Sequence, residues 1–224
     1  MMSPEQCRWY ETQLRSQALN ERKAALDRLA TESADEAIPI LQALAQGDVF
    51  QRRLAMMGFA NHLTDEAFAV LNTLIEQETD GNVLAEAANS LFDFGEKALP
   101  LLASLFEANT NWLLRQTILA LMMAQDDPAL LFDLAVIGLE DDTQTVKETA
   151  ILALRQVWNS EYQSQALAML ADQAQSNDWR DRWRTATALT GCSAPAAKTL
   201  LAQLRQDSHH RVVAAALDAG VAGV

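Results

Sequence analysis

Ala37-Ile38-Pro39-Ile40-Leu41-Gln42-Ala43-Leu44 returns, almost position for position, as Ala98-Leu99-Pro100-Leu101-Leu102-Ala103-Ser104-Leu105. Looser copies begin at Ala67 (with Val70, Leu71 and Leu74), Leu130 (Leu134, Ile137), Ala166 (Met169, Leu170) and Ala197 (Leu200, Leu201, Leu204). Successive copies lie about 30 to 36 residues apart, the length of one helix pair. Recurrence at such a period marks a stacked-repeat architecture, because one short unit cannot bury its apolar face alone.

A second phrase lies between the copies: an acidic or small polar residue, then a basic residue, then small residues and a leucine. Residues 142–154 show it best, with Val146-Lys147 ahead of Ala150, Ile151, Ala153 and Leu154. Related stretches occupy 20–26, 48–59, 80–91, 109–121, 178–189 and 207–217. Apolar or small residues recur in them at i, i+3, i+4 and i+7, the pattern of one buried helical face. The boundaries agree. Asp48, Asp80, Asp142, Asp178 and Ser208 are suited to cap helix N-termini, since a short side-chain oxygen can accept the unpaired first-turn amides. Ser3-Pro4-Glu5-Gln6 has the form of a capping box that opens a leading helix to about Gln17. Gly47 and Gly95 are expected to end helices in left-handed conformations. Caps near Asp35 and Gly95 place Pro39 and Pro100 within the first one or two turns, where a missing amide disturbs least; deeper in a helix each would cost about 3 kcal/mol. The reading is thirteen to fourteen helices and no sheet.

Composition agrees: of 224 residues 50% are hydrophobic but only 6% aromatic, and 8 Gly with 5 Pro are too few turn-formers for a many-stranded β protein. A net charge of −13 repels a phosphate backbone, so nucleic acid is excluded as a partner. The N-terminus carries no basic segment followed by an apolar one. The longest apolar run, residues 130–139, is broken by Asp133 and falls short of the roughly 18 residues of a membrane span. A soluble, cytoplasmic protein without membrane insertion is expected. Cys7 and Cys192 lie far apart with no metal-ligand spacing and read as reduced thiols.

No phosphate loop, GxSxG, HExxH or clustered Cys/His pattern is present, so no metal and no resident cofactor are expected. His209 and His210 are neighbours and point about 100° apart on a helix, unable to share one metal. The runs Asp126-Asp127 and Glu140-Asp141-Asp142 fall at turns ahead of helices and read as caps and solvated ends. Trp112 and Trp158 are expected to pack between helices.

The phrases at Ala37 and Ala98, A-x-P-x-L-x-x-L, and the cap, Val-basic, small-small pattern at Asp142, Val146 and Lys147 resemble the HEAT-repeat superfamily, in particular its short phycobilisome-lyase-type HEAT-like repeats. The resemblance covers nearly the whole chain. It implies an all-α, right-handed α-α superhelix (solenoid) of about six to seven HEAT-like helix pairs. The implied domain is single, 1–224, with a leading helix over 1–19 and repeats over 20–224. In the family the phrase with the basic residue opens the inner helix, which would set Arg52, Lys147 and Arg211 at the inner edge. The function implied is a protein-binding scaffold engaging a phycobiliprotein or the phycobilisome in assembly, chromophore handling or degradation. The alternatives are a subunit of a heteromeric bilin lyase that needs a second HEAT-like chain, with a bilin as possible ligand, and a general interaction adaptor. No catalytic motif decides whether the chain is an enzyme.

Trp179-Arg180-Asp181-Arg182-Trp183-Arg184 stands apart electrically. From residue 177 onward Lys and Arg outnumber Asp and Glu by 6 to 4, so the rest of this −13 chain carries −15. Trp179, Arg180, Arg182, Trp183, Arg184 and Arg211 are therefore candidate residues for holding an acidic partner or a ligand carboxylate. Two registers compete: Arg182 keeps the repeat spacing, whereas Trp183-Arg184 matches the Val-basic pattern. Arg180 and Arg184, one turn apart, could share a carboxylate; the plainer alternative is an inward Trp179, Trp183, Ala186 and Thr190 under a solvated Arg180/Arg184 ridge. The apolar run after Arg211 makes Val213 and Leu217 a candidate partner edge.

Overall fold

The computed structural model describes residues 2–221. Among them run fourteen α-helices, first α1 (Pro4–Leu14), α2 (Leu19–Leu29), α3 (Ala34–Leu44), α4 (Val49–Phe59), α5 (Asp65–Gln77), α6 (Gly81–Phe92) and α7 (Leu99–Ala108). There follow α8 (Trp112–Met122), α9 (Pro128–Leu139), α10 (Gln144–Ala153), α11 (Gln163–Gln173), α12 (Trp179–Ala188), α13 (Pro195–Leu204) and α14 (His210–Val221). Short 3-10 turns precede α7 (Gly95–Ala98) and follow α10 (Leu154–Val157). The described residues contain no strand, and no helix is long and apolar enough to cross a membrane.

The chain forms two compact units, Met1–Leu105 and Phe106–Val224. In the first, α1 packs on α2 and α3, α3 on α4, α5 on α6, and α4 directly on α6. In the second, α9 packs on α10 and α13 on α14, while α8, α10, α12 and α14 pack successively on one another. Each unit is thus a stack of HEAT-like helix pairs. The repeated phrase supplies the buried face: Ala37, Ile38, Leu41 and Leu44 in α3, and Ala98 just ahead of α7 with Leu102 in it. Small residues let helices approach closely. A Cβ on Gly138 of α9 would lie 2.8 Å from Ala150 Cβ of α10, and one on Gly58 of α4 would lie 2.3 Å from Leu41 Cδ2 of α3.

Asp48, Asp80 and Asp178 cap α4, α6 and α12, accepting first-turn amides, and Ser3 with Gln6 forms the capping box of α1. Pro39 stands sixth in α3. It is exposed, as is Asp35, whose carbonyl it leaves without a donor, so water can serve that oxygen. Four expectations are corrected. Gly47 is not left-handed; among the described residues only Gly95 (φ 72°) and Gly191 (φ 81°) are. Asp142 is not a cap: Thr143 holds that position, and Asp141 accepts the Thr143 amide at 2.7 Å. Ser208 gives way to His209, whose amide donates to Asp207 Oδ1 at 2.8 Å and whose Nδ1 accepts the Arg211 amide at 3.3 Å. Trp112 is 46% exposed, because Leu114, Ile118 and Leu119 take the buried face of α8 and a residue two before Leu114 lies about 200° round the helix. Trp158 is buried as expected and donates Nε1–H to Ala188 O at 3.2 Å.

One polar device recurs along the chain. The fourth residue of α4, α8 and α12 is Arg52, Arg115 and Arg182. Each guanidinium donates back to a carbonyl near its own preceding loop: Gly47 at 3.2 Å, Asn109 at 2.6 Å and Ser176 at 2.8 Å, respectively. Each also donates forward to a carboxylate three residues ahead of α6, α10 or α14: Arg52 to Glu78 at 2.7 Å, Arg115 to Asp141 at 2.6 Å, Arg182 to Asp207 at 2.7 Å. The same carboxylate then accepts the amide two residues on, that of Asp80, Thr143 or His209. One arginine therefore orders its own loop and fastens it to the loop that starts the next repeat.

The clasp tunes the Glu78 and Asp207 carboxyls. Burial alone would raise the Glu78 carboxyl, but hydrogen bonds from Arg52 and from the Asp80 and Thr79 amides outweigh it and hold it below the usual range. The Arg182 hydrogen bond, opposed by burial and aided by the His209 amide, lowers Asp207. A carboxyl lowered in the folded chain adds stability that is complete above the unfolded value of about 4 and is lost as pH falls through the folded value. Urea midpoints followed from pH 7 to pH 3 should therefore drop for the wild type, and drop less for Asp207→Asn, which starts lower. Asp141→Ala leaves the largely buried Arg115 without its carboxylate and should cost about 3 kcal/mol in the same assay.

Candidate functional site

α12 begins at the Asp178 cap, so Trp179 and Trp183 fall one turn apart on one face, their centroids 6.0 Å apart. Because α14 packs on α12, the start of α14 is carried over the same face. His209 stacks on Trp179 at 4.0 Å with an interplanar angle of 9°, and His210 stacks on His209 at 4.8 Å. The four rings form one row, half-buried at Trp183, Trp179 and His209 and exposed at His210. Burial chiefly, with the nearby charges of His210 and Arg211, lowers the His209 pKa, so the imidazole on Trp179 is neutral at pH 7.

The arginines of the stretch have separate fates. Arg182 occupies the repeat position, settling the register, and is committed to Asp207, Ser176 and Asn177. Arg184 sits 3.9 Å over the Trp183 ring and donates Nε–H to Glu148 of α10 at 2.8 Å. Arg180 is exposed, leans over Trp179 and pairs with Asp178 at 3.1 Å. The two thus hold separate carboxylates of their own chain rather than sharing one. Arg211 is the second residue of α14, and the repeat position there is Val213, so Arg211 is not the equivalent of Arg52. Its guanidinium lies 5.5 Å from Trp179 and 6.0 Å from Trp183, and among the described residues no carboxylate pairs with it.

Beside this cation a shallow hollow of about 410 Å³ opens on the α12/α14 face, lined by Trp183, Thr187, Thr190, Ala214, Ala215 and Asp218 as well as Arg211. Val213 is half-buried and Leu217 is 51% exposed on α14. Sequence reasoning missed Glu148, which removes Arg184 from the free cations; its signal was a glutamate directly after the basic residue of residues 142–154. It also missed the stack on His209, which no spacing within one helix could reveal. Asp181 lies elsewhere, buried and accepting from Gln144 and Ser176 at 2.7 Å each. Among the described residues no grouping of His, Cys, Asp and Glu could hold a metal ion.

No protein-family model and no curated protein sequence matches the chain. Solved structures do. YibA of E. coli aligns over 97% of this chain and 81% of its own, with a TM-score of 0.61 and 16% identity. The HEAT-repeat karyopherin Kap121p, bound to RanGTP, aligns over 98% of this chain with a TM-score of 0.58 and 18% identity; the chain spans 29% of its length. A looser alignment, TM-score 0.47 and 17% identity over 100% of this chain and 96% of the other, is with the CpcE and CpcF complex of phycocyanin lyase from a Nostoc species. The first two likenesses speak to the fold, that of HEAT-like repeats.

The stack on Trp179 can be tested through His209. In an NMR titration its ring protons should show a midpoint below the ordinary value of about 6.5, and Trp179→Ala, which opens the ring to water, should move that midpoint up.

Proposed function

We propose that the chain is a protein-binding scaffold that engages an acidic partner segment through the α12/α14 face. The observation that carries this is Arg211: a cation set over two tryptophan faces, paired with no carboxylate among the described residues, and lining an amphipathic hollow. Indole and guanidinium together favour a partner that presents a carboxylate beside an apolar or aromatic group. The small Ala214 and Ala215 let such a segment approach α14 closely. The finer reading, a phycobiliprotein or the phycobilisome as partner, draws its support from the phrases at Ala37 and Ala98. A bilin, or a second HEAT-like chain meeting the exposed Leu217 as in a heteromeric lyase, is the alternative within it.

The test is an affinity titration of the full chain against phycobiliproteins and free bilin at low and high salt. Arg211→Gln and Trp183→Ala should each weaken binding by about 1 to 3 kcal/mol. Arg180→Gln should act less, since that side chain already pairs with Asp178. Affinity should fall with added salt. Equal, salt-independent affinities in all variants would remove this face from the binding surface; binding of free bilin alone would favour the chromophore-handling reading.

A further inference from the structure

The clasp has an incomplete copy in the N-terminal unit. Arg22 is the fourth residue of α2, the place that Arg52 holds in α4. Three residues ahead of α4, where Glu78 stands ahead of α6, the chain has Gln46 instead of a carboxylate. Among the described residues Arg22 makes no ion pair and no side-chain hydrogen bond, and its Nε is buried without an acceptor. Arg53 of α4 also has a buried Nε without an acceptor, although another of its nitrogens reaches Glu86 at 3.2 Å. A buried N–H left unmet costs free energy that an acceptor would recover.

Exposed apolar side chains stand on the same two helices. The Arg22 guanidinium lies 5.7 Å from the Phe50 ring centroid, and Phe50 is 64% exposed. Leu19, three residues before Arg22 on α2, is 73% exposed, and Met57 of α4 is 42% exposed. Phe50, Arg53 and Met57 follow one another at i, i+3 and i+7, so they form one stripe on α4, against which α2 packs.

We infer that Arg22 is an open rung of the ladder: a carboxylate from a partner protein segment completes the clasp, and apolar side chains of the same segment lie on Leu19, Phe50 and Met57. The planar guanidinium fork matches a carboxylate, and in this register Arg52, Arg115 and Arg182 each hold one from their own chain. A chain of net charge −13 repels a polyanion, so the occupant is a mainly apolar segment with an isolated acid, such as a helix with Glu and Leu one turn apart. The rung lies wholly in the first unit and stands apart from the α12/α14 reading.

The experiment uses the full chain and two fluorescein-labelled helical peptides, one with repeated Glu and Leu one turn apart and one with Gln in place of every Glu, read by fluorescence anisotropy. The wild type should prefer the Glu peptide by about tenfold, the worth of one charge-assisted hydrogen bond. Arg22→Met should abolish that preference. Gln46→Glu, which provides a carboxylate in the register of Glu78, should also abolish it while raising the urea midpoint; this arm does not depend on how well Arg22→Met folds. No preference in the wild type, or a preference retained in Gln46→Glu, overturns the inference. So does a concentration-dependent dimer that Arg22→Met dissolves, which would give the rung to a second copy of this chain.

Discussion

A guanidinium held between a carbonyl of its own loop and the carboxylate of the next is the interaction on which the repeats depend. Apolar faces bring α4 onto α6, or α8 onto α10, but burial is non-directional and would tolerate sliding. The clasp is directional. Arg52, Arg115 and Arg182 each satisfy loop carbonyls that no helix can serve and pull on a carboxylate that simultaneously caps the following turn. A helix start, a loop and a repeat contact are thereby fixed by one group, and removing either charge would leave the other buried and unpaired.

The clasp recurs only in part. Its arginine position is Leu84 in α6, Lys147 in α10 and Val213 in α14, and its acid position is Asn109 ahead of α8 and Ser176 ahead of α12. Those shorter oxygens still accept the amide two residues on, from Asn111 and Asp178, so the turn survives without the ion pair. Between α10 and α12 the connection passes instead through Gln144 and the buried Asp181. Recognition is shaped by the same economy. Arginines in register with an acid hold repeats together, whereas Arg211, out of register, and Arg22, in register without an acid, pair with no carboxylate among the described residues.

Much of this could be read from residue order. The twin phrases at Ala37 and Ala98 became α3 and α7 because apolar residues at helical spacing bury one face wherever the turns permit. Asp48, Asp80, Asp178 and Ser3 could be read as caps because capping is settled within four residues. Errors arose where a remote partner intervened. Asp141 rather than its neighbour Asp142 serves the start of α10, since Arg115 reaches it from α8. Ser208 lost its place because Asp207, fixed by Arg182, accepts the His209 amide. The competition between Arg182 and Arg184 could not be resolved locally, as both lie on α12 and differ only in what faces them: Asp207 for one, Glu148 for the other.

By itself, then, the sequence determined that the chain is helical, where most of the helices begin, which apolar residues recur on their buried faces, and that its C-terminal stretch is rich in arginine and tryptophan. These follow from spacing along the chain, the range over which helix hydrogen bonds and caps act. Only the tertiary structure decided which of those arginines are already neutralised and which tryptophan carries a histidine on its face. Ion pairs and ring stacks join residues far apart in sequence, and their geometry exists only after the repeats have packed.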